Sequence, residues 1–375
     1  MHVVLIANDT TFIYNLRREI IQRLLADGHR VTLLTQARSF REELEAMGAE
    51  VINVDTPRRG TSIVGDLKLL GTYWRLLRRL RPDAVLTNNI KPNAYGGLVC
   101  RMLRLRHLPN VTGLGTAVEN PGRMQALTTR LYKWGVAGAE CIFFQNEENL
   151  QFFRDRGMLP KRARVCMLPG SGVNLQQHQA EEYPPEGAVH FLYVARAMKE
   201  KGIDLYLNAA RAIHEKYADA VFHICGMCDD ERYMQILRDA QAEGYILYHG
   251  EQKDMVPYFR QAHCLVHPSY YPEGMSNVLL EAAASARPII ATDRSGCRET
   301  VDDGVSGYIV PVKDEAALIG ALDRFVQLDW AARRAMGLAG RAKMEREFDR
   351  RIVVDLVVKA TEMAEGSPAG RSACG

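Results

Sequence analysis

Short apolar runs alternate with amphipathic stretches along almost the whole chain, and this alternation constrains the fold more than any other feature. The apolar runs have the length of buried strands, and the stretches between them, such as residues 15–27 and 67–80, have helical spacing. Strands separated by helices pair in parallel, because each helix returns the chain to the edge of the sheet from which it left. The pattern therefore predicts an α/β fold of open, doubly wound parallel sheets. The expected strands are 3–7, 31–34, 51–54, 84–87, 141–144, 165–168, 191–194, 222–225, 246–249, 264–267 and 289–291.

A break rich in glycine, proline and charge divides these strands into two series. It runs from residues 169–174 to residues 184–187, and a chain of 375 residues exceeds the size at which a single core stops growing. We predict an N-terminal domain over 1–169 and a C-terminal domain over 170–350, both Rossmann-like and facing a central cleft. The last helix, about 351–364, is expected to pack back on the first domain, and the tail 365–375 to be disordered.

The composition argues against several classes of protein. The net charge of +3 is too small to favour binding to nucleic acid, and no apolar run approaches the ~18 residues of a membrane span. Residues 1–7 are too short for a signal peptide and suggest a first strand instead. The eight cysteines show neither a disulfide framework nor the spacing of zinc ligands, and only Cys225 and Cys228 are close. We therefore expect a cytoplasmic protein without a metal or other cofactor.

Glu273 and Glu281 carry the strongest functional signal. Glu273 lies in a loop with proline and glycine, and Glu281 lies in an apolar run of helical type for which Ser276 is the expected N-cap. The first turn of a helix presents N–H groups and a positive dipole end, which together suit a phosphate. The segment thus offers carboxylates for hydroxyl groups beside a site for an anion, the combination that a sugar nucleotide requires.

Polar residues follow three further predicted strands of the second half. Arg196 and Lys201 lie on a strand-to-helix turn, where two cations can neutralise a diphosphate; the alternative is an ordinary solvated turn. Gly250 and Asp254 follow another strand and could receive a nucleobase, although an aspartate before a helix is also a routine cap. Glu299 follows a third strand and lies near the start of a helix, where an acidic residue is also a routine cap.

The order of these segments resembles the retaining, GT-B-fold glycosyltransferases of family 4, in particular the bacterial members that build capsule, O-antigen or lipid-linked oligosaccharides. The matching segments span about residues 190–311 and are Arg196 with Lys201, Gly250 to Asp254, His267-Pro268-Ser269, Glu273 to Glu281, and Gly304 to Val310. In the first half, residues 88–96 and 111–115 also resemble the polymer-building branch. The resemblance covers nearly the whole chain apart from its tail.

This resemblance implies roles for the residues of the second domain. Arg196 and Lys201 would stabilise the nucleotide diphosphate as the glycosidic bond breaks, and Glu273 would hold hydroxyls of the donor sugar, so these three are the expected catalytic residues. Glu281 would bind the ribose, and backbone N–H groups around residues 274–277 would bind the distal phosphate. The expected donor-binding residues are Gly250, Asp254, Gly274, Met275, Ser276, Asn277 and Glu281. Retention by front-face attack is expected, so the two glutamates would not form an acid–base pair.

The first domain is expected to hold the acceptor, and it departs from many relatives. Asn8 and its neighbours stand where those relatives have a Gly-Gly pair, and residues 112–116 lack the histidine that relatives place near the sugar. We predict that Asn8 and Lys91 contact a phosphate or the acceptor, with an ordinary surface lysine as the alternative for Lys91. Gly113 and Gly115 would allow the backbone to approach the donor sugar.

Basic residues concentrate in the first half, in the segments 73–81, 101–106 and 154–164. Basic amphipathic helices attract anionic lipid headgroups, so these segments predict peripheral binding at the inner face of the cell membrane. The alternative for residues 73–81 is that the leucines face the core while the arginines are merely solvated.

The predicted function is transfer of a hexose or N-acetylhexosamine from a nucleotide sugar, with UDP preferred, to a polyprenyl-diphosphate-linked glycan. Two alternatives stay open at this point. One is a transferase with a soluble acceptor, and the other is a non-catalytic or epimerase-type protein that binds nucleotide sugars in a GT-B fold.

Overall fold

A computed structural model describes residues 1–55, 63–115 and 122–363. The chain forms two compact units. Unit 1 contains Met1–Ser171, Glu273–Met275 and the segment that begins at Arg350, and unit 2 contains Gly172–Pro272 and Ser276–Asp349. The tail 365–375, predicted to be disordered, lies outside the described residues.

Unit 1 is built on a parallel sheet of seven strands in the order β3-β2-β1-β4-β5-β6-β7. Its strands are β1 (His2–Asp9), β2 (Arg30–Gln36), β3 (Glu50–Asn53), β4 (Ala84–Asn88), β5 (His107–Val111), β6 (Cys141–Phe144) and β7 (Arg164–Met167). Its helices are α1 (Thr10–Ala26), α2 (Arg41–Ala46), α3 (Ile63–Leu80), a π-helical turn (Pro92–Gly96), α4 (Gly97–Leu103), α5 (Arg123–Val136) and α6 (Glu147–Asp155), with a last helix at Arg350–Glu362.

Unit 2 is built on a parallel sheet of six strands in the order β10-β9-β8-β11-β12-β13. Its strands are β8 (His190–Val194), β9 (Val221–Cys225), β10 (Leu247–Tyr248), β11 (Cys264–His267), β12 (Ile289–Thr292) and β13 (Gly307–Val310). Its helices are α7 (Ile203–Lys216), α8 (Glu231–Ala242), α9 (Val256–Gln261), α10 (Asn277–Ala284), α11 (Glu315–Gln327) and α12 (Trp330–Glu347), which makes Arg350–Glu362 helix α13.

Both sheets follow the doubly wound order in which the strand sequence reverses beside the first strand of the unit. The predicted α/β fold with two parallel sheets is therefore confirmed. Two strands were not among the predicted ones. β5 contains a histidine, a proline and an asparagine, and β13 begins with a glycine, so neither shows the continuous apolar run by which the other strands were found.

The core of unit 1 is completed by the C-terminal helix. Val353, Val354, Val357 and Val358 of α13 are buried in the same cluster as β1 and α1. At the start of this helix, Arg350 donates from Nη1 to the Glu19 carboxylate at 3.1 Å. The valines recur three and four positions apart, which is the spacing of one helix face, so α13 is an integral part of unit 1.

Helix α1 begins five residues earlier than its predicted start because Asp9 caps it. The Asp9 carboxylate accepts a hydrogen bond of 2.9 Å from the backbone N–H of Phe12. Arg17 lies in the apolar stripe of this helix and is only 2% exposed. Its Nε donates to Asn88 Oδ1 at 2.9 Å, and burial lowers the pKa of its guanidinium to about 9. A charge in an apolar stripe is thus held by amide and hydroxyl partners at the sheet edge.

A row of histidines crosses three neighbouring strands of unit 2. His190 Nδ1 lies 2.8 Å from His223 Nε2, and His223 Nδ1 lies 2.9 Å from His249 Nε2. The rings are stacked, with centroids 5.1 and 5.2 Å apart. Burial, followed by the charges of its two neighbours, lowers the pKa of His223 to about 3. The row is therefore neutral at pH 7.

Candidate active site

The predicted donor residues of unit 2 gather at the point where its strand order reverses. β8 and β11 are neighbours in the sheet although they are not consecutive in sequence. Arg196 and Lys201 follow β8, and the segment leading to Ser276 and α10 follows β11. In open parallel sheets, ligands bind outside the carboxyl ends of the strands at such a reversal.

The turn that carries Lys201 is packed directly on the loop after β11. The backbone N–H of Tyr270 donates to the carbonyl of Glu200 at 2.9 Å. Gly202 ends the turn with a φ of +75°, and a Cβ there would lie 2.2 Å from the carbonyl oxygen of Pro268. Only glycine fits this position, since both its backbone angle and the approach of Pro268 exclude a side chain.

Lys201 is held over an aromatic ring inside this corner. Its Nζ lies 5.1 Å from the ring centroid of Tyr271, within the range of a cation–π interaction. Burial, with a smaller contribution from the charge of Arg196, lowers the pKa of Lys201 to about 8. Arg196 itself is exposed. The two cations therefore differ: one is half-buried and easily discharged, and the other is solvated.

The N-terminus of α10 holds polar atoms that lack partners. Ser276 occupies the N-cap position as predicted, but its hydroxyl does not cap the helix and lies 3.3 Å from His267 Nε2. Within the described residues, His267 Nδ1 and Asn277 Oδ1 are buried without a hydrogen-bond partner. Burial, and then the charge of Lys201, lower the pKa of His267 to about 3, so its ring is neutral. Unpartnered buried polar atoms are costly, so this corner keeps unused capacity for hydrogen bonds.

The loop after β12 closes the other side of this corner. The backbone N–H of Ser276 donates to the carbonyl of Gly296 at 2.8 Å. The Glu299 carboxylate accepts from the N–H of Gly296 at 2.7 Å and from the hydroxyl of Ser295 at 3.1 Å. Glu299 thus lies within the turn at Arg298–Thr300 and holds the loop before it, while the N-cap of this turn, Cys297, makes no side-chain cap bond.

Glu281 lies one turn beyond Asn277 on α10 and is half-buried. Residues four positions apart share a face of a helix, so Glu281 and Asn277 project from the same side. Glu273 lies outside this helix, in the loop that precedes it.

Gly250 and Asp254 have different surroundings. The carbonyl of Gly250 accepts from the N–H of Gly226 at 2.7 Å, which fixes the end of β10 beside the loop after β9. Asp254 is exposed, and its carboxylate accepts from the N–H of Val256 at 3.0 Å. Asp254 therefore lies one residue before Met255, the N-cap of α9, and its carboxylate bonds to the first N–H of that helix.

Glu273, Gly274 and Met275 belong to unit 1. The N–H of Gly274 donates to the carbonyl of Thr112 at 3.1 Å, and Asn146 Nδ2 donates to the carbonyl of Glu273 at 3.1 Å. A Cβ on Gly274 would lie 2.6 Å from the Thr112 oxygen and 2.3 Å from Gln145 Oε1. The backbone of these three residues is thus clamped between the ends of β5 and β6. Met275 is buried.

The predicted glycines of unit 1 lie in the loop after β5. Gly113 follows Thr112, the acceptor for Gly274, and has a φ of +139°. Gly115 has a φ of +68°, and a Cβ there would touch the Ile90 side chain at 3.4 Å. Both positions therefore need a backbone conformation that favours glycine.

Asn8 and Lys91 flank the strand reversal of unit 1, beside β1 and β4. Asn8 lies within β1, and its N–H donates to Asn89 Oδ1 at 3.2 Å. Lys91 donates from Nζ to the Asp66 carboxylate at 3.0 Å. Burial, and then the Asp66 carboxylate, raise the pKa of the nearby Tyr95 to about 12. The lysine is thus part of a half-buried polar group rather than an isolated surface cation.

Sequence reasoning gave no role to several residues that shape these corners. Tyr271 lies under Lys201, Asn146 holds the backbone of Glu273, and His267 faces Ser276. His267 falls in a segment that the resemblance already singled out, and Tyr271 lies between two such segments, but spacing alone does not say which way a side chain points. Asn146 lies two residues after β6, and a polar residue near the end of a predicted strand was the available signal.

The part of the chain that the structure describes lacks two kinds of feature. Over 1–55, 63–115 and 122–363, no three His, Cys, Asp or Glu side chains are grouped as a metal site would require. In the same ranges, no helix is both long enough and apolar enough to span a bilayer.

Two protein families match the chain. Residues 16–170 match the family described as glycosyl transferase 4-like domain, and residues 188–327 match the family described as glycosyl transferases group 1. The two matches follow one another and together take in most of the chain.

Curated relatives are similar over most of their length. The N,N'-diacetylbacillosaminyl-diphospho-undecaprenol alpha-1,3-N-acetylgalactosaminyltransferase of Campylobacter jejuni is 24% identical over 331 residues, which are 84% of this chain and 86% of that protein. The capsular polysaccharide biosynthesis glycosyltransferase CapM of Staphylococcus aureus is 22% identical over 83% of this chain and 85% of that protein.

Solved structures share the fold. Sucrose-phosphate synthase from Thermosynechococcus elongatus superposes with a TM-score of 0.78 at 19% identity, over 96% of this chain and 98% of that one. HepE of Anabaena, solved in complex with UDP, gives a TM-score of 0.77 at 14% identity, over 96% and 99% of the two chains. At these identities the likeness establishes the fold alone. The family matches, the relatives and this fold together show that the chain is a glycosyltransferase of family 4, with the GT-B fold.

Proposed function

We propose that this glycosyltransferase moves a hexose or an N-acetylhexosamine from a UDP-sugar to a polyprenyl-diphosphate-linked glycan, with retention of the anomeric configuration. The observation that carries the proposal is the corner of unit 2 formed by Lys201, His267 and the start of α10. It combines a half-buried cation, a helix N-terminus and two buried polar atoms without a partner in the described chain.

The chemistry of the leaving group explains the cations. When the glycosidic bond breaks, negative charge develops on the diphosphate, and fixed positive charges stabilise that transition state more than the ground state. Lys201 is suited to this role because its half-buried position strengthens its electrostatic interaction with an anion. Arg196 is exposed, so its guanidinium is free to reach a phosphate without prior desolvation.

The start of α10 supplies the uncharged contacts in this proposal. N–H groups of its first turn would bind the distal phosphate, and the neutral ring of His267 would donate or accept one hydrogen bond through Nδ1. Asn277 Oδ1 and Glu281, one helix turn apart, would accept from ribose hydroxyls. This assigns every predicted polar residue at the start of this helix to one nucleotide.

The choice of donor and acceptor is supported by what related proteins bind. HepE of Anabaena has been solved with UDP-glucose as well as with UDP, which supports a uridine nucleotide here. The Campylobacter relative is named for transfer of N-acetylgalactosamine to a diphospho-undecaprenol, which supports an N-acetylhexosamine donor and a polyprenyl-diphosphate acceptor. An acceptor anchored in a bilayer requires the enzyme to work at the membrane surface, and the inner face is where cytoplasmic nucleotide sugars are available.

The roles of Glu273 and of unit 1 complete the proposal. Glu273 would accept hydrogen bonds from donor hydroxyls, and its backbone is already fixed by Asn146. Gly113 and Gly115 would allow the backbone to approach the sugar, while Asn8 and Lys91 would contact the acceptor diphosphate. For Lys91 to do so, its bond to Asp66 would have to be shared with or replaced by a phosphate.

Lys201→Ala tests the proposal against that of a non-catalytic binding protein. We expect turnover of a UDP-sugar to fall at least 100-fold, because a charge that stabilises the leaving group is lost. The matched control is Lys253→Ala, which removes an exposed cation from the neighbouring Gly250–Asp254 loop. Release of UDP and transfer of radiolabelled sugar are measured, with thermal unfolding as the check on folding.

The result decides between the candidate functions. Loss of turnover in Lys201→Ala, with unfolding temperature and Lys253→Ala turnover unchanged, supports the proposal. Near-wild-type turnover in Lys201→Ala removes Lys201 from the mechanism. A wild-type protein that binds UDP but releases no sugar from any member of a UDP-sugar panel would be the non-catalytic alternative. Addition of EDTA is expected to leave turnover unchanged, since the charge stabilisation is assigned to side chains.

A further inference from the structure

A groove of about 840 Å³ lies on the surface of unit 1 between α3 and α4. Its apolar lining includes Leu67, Leu70, Trp74 and Met102. Two of these side chains are far from buried: Leu67 is 63% exposed and Met102 is 60% exposed. Val64, one turn before Leu67 on α3, is 78% exposed. Large apolar side chains grouped at such exposure indicate a surface that meets an apolar partner.

The core does not account for this apolar surface. Tyr73 and Leu77 of the same helix are fully buried and pack into unit 1. The opposite side of α3 carries Leu67 and Gly71 toward the groove and the solvent. Helix α3 therefore has two apolar faces, and only one of them is used for folding. Sequence spacing alone did not separate these two faces.

Arginines border the groove on the same helix. Arg75, Arg78, Arg79 and Arg81 all line it and are exposed. Arg78 lies over the ring of Trp74, with its Cζ 5.1 Å from the ring centroid. Among the residues that the structure describes, none of the four arginines forms an ion pair. A ring of uncompensated guanidinium groups around an apolar floor is complementary to an anionic amphiphile.

The other basic segments of unit 1 are different. Arg106 and Arg164 both pair with Glu140, at 2.7 and 2.9 Å. Arg106 also donates to the carbonyl oxygens of Thr361 and Met363, so it fixes the end of α13. Arg154 pairs with Glu147 at 2.7 Å. Three cations of these segments are therefore committed to the fold, whereas the four arginines beside the groove form no ion pair within the described residues.

We propose that this groove is the surface by which the enzyme docks on a bilayer that contains anionic phospholipid. The guanidinium groups of Arg75, Arg78 and Arg79 bind lipid phosphates, while Leu67 and Met102 enter the acyl region at the mouth of the groove. This inference rests on the proposed function, because a membrane-held acceptor is the reason for docking. It replaces the three basic segments of the sequence prediction by one defined surface.

Co-sedimentation with vesicles tests the docking surface in the full-length protein. The groove variant carries Arg75→Gln, Arg78→Gln and Arg79→Gln. The charge-matched control carries Lys133→Gln, Lys161→Gln and Arg162→Gln, three exposed cations of unit 1 outside the groove. Vesicles are phosphatidylcholine with or without phosphatidylglycerol, and thermal unfolding confirms that each variant is folded.

We expect the groove variant to bind phosphatidylglycerol vesicles about 100-fold more weakly than wild type, since each basic residue near an anionic surface contributes roughly fivefold. The control should lose no more than a few-fold. A second variant, Leu67→Ser with Met102→Ser, keeps all the charge and should still lose roughly tenfold, because its apolar insertion is removed. Pure phosphatidylcholine should bind none of them tightly.

Four outcomes would overturn the proposal. Equal losses in the groove variant and the control would show a general effect of charge without a docking surface. Unchanged binding of Leu67→Ser/Met102→Ser would show that nothing apolar enters the bilayer. A third result is that calorimetry shows inorganic diphosphate bound at the groove while wild type does not bind vesicles. This result would identify a site for a soluble anion. Self-association of wild type that the serine variant abolishes would identify a protein interface.

The test separates this inference from the proposed function. Calorimetric binding of UDP without vesicles does not depend on the groove, so both groove variants should bind UDP as wild type does. A protein that docks on vesicles through the groove but neither binds UDP nor turns over UDP-sugars would retain this inference and refute the function. A protein that turns over UDP-sugars but docks elsewhere, or does not dock, would retain the proposed function and refute this inference.

Discussion

The ammonium group of Lys201 should make the enzyme lose activity in mildly alkaline solution, and Lys201→Arg should restore it. Burial lowers the pKa of this lysine to about 8 in the free protein. One pH unit above that value, about one molecule in ten still carries the charge. If the charge stabilises the leaving diphosphate, kcat/KM for the donor at pH 9 should therefore be about a tenth of its value on the plateau below pH 7.

Two titratable groups near Lys201, Cys297 and His267, do not titrate in this range. Burial raises the pKa of Cys297 to about 12, and burial lowers that of His267 to about 3. Arginine keeps its charge throughout, and its planar group can occupy the face of Tyr271. The alkaline loss of kcat/KM should therefore be absent or much reduced in Lys201→Arg. The plateau value of kcat/KM below pH 7 should be lower in this variant than in wild type. In the donor complex the bound diphosphate favours the charged amine, so the loss of kcat should begin at a higher pH than that of kcat/KM.

Initial rates of UDP release at donor concentrations below KM, from pH 6 to 10, give kcat/KM directly. Enzyme incubated at pH 9 and returned to pH 7.5 should recover its full rate, which separates titration from inactivation. The same alkaline limb in wild type and in Lys201→Arg would refute the assignment, because the titrating group would then lie elsewhere. A wild-type plateau that extends beyond pH 9 would refute it as well.

Three other perturbations have defined outcomes. Gly274→Ala should lower activity and destabilise the protein by about 1–3 kcal/mol in chemical denaturation, since a Cβ would lie 2.6 Å from the backbone oxygen of Thr112. The control Gly320→Ala, in an open helical position, should be neutral or slightly stabilising. Arg287→Met should cost roughly 3–5 kcal/mol of unfolding free energy, because this fully buried side chain donates to the carbonyl groups of four residues; exposed Arg346→Met should cost little, and equal losses would contradict the argument. His223 has a folded pKa of about 3, below its unfolded value of 6.5, so its contribution is complete above pH 6.5 and is lost as pH falls. The unfolding free energy of His223→Asn should consequently decline less steeply than that of wild type from pH 6.5 to 4, by about 1.4 kcal/mol per pH unit at most.

The sequence predicted the fold because its strands are nearly all apolar and buried on both faces. Eleven strands were expected, each lies at an observed strand, and the helices between them require parallel pairing. β5 was missed because a strand in the middle of a parallel sheet needs only burial, and the buried His107 ring is partnered through Nε2, which lies 2.9 Å from the hydroxyl of Thr87. Such a partner is 20 residues away in sequence, so local pattern cannot reveal it.

Prediction of the site was less complete, and the reason is geometric. Residue types and chain order indicated Arg196, Lys201 and the segment 273–281, because these follow strand ends that meet at one edge. They could not show that Ser276 faces His267 instead of capping its helix, or that Asp254 only starts a helix. They also could not distinguish a paired Lys91 from a free one, because Asp66 is 25 positions away on another helix. Side-chain direction is decided by packing, and packing is not local in sequence.

The arrangement around Lys201 also shows why the corner is costly to the free protein. A half-buried amine with a lowered pKa, a neutral histidine with an unpartnered Nδ1 and an amide oxygen without a donor each oppose folding by an amount on the order of 1 kcal/mol or more. In the proposed function, a diphosphate nucleotide would remove all three costs at once, since it would bring negative charge, acceptors and hydroxyl donors. Binding energy gained in this way would act at the leaving group, where it would lower the barrier to transfer. Under this proposal, the cost of the corner in the free protein and its catalytic use have the same physical origin.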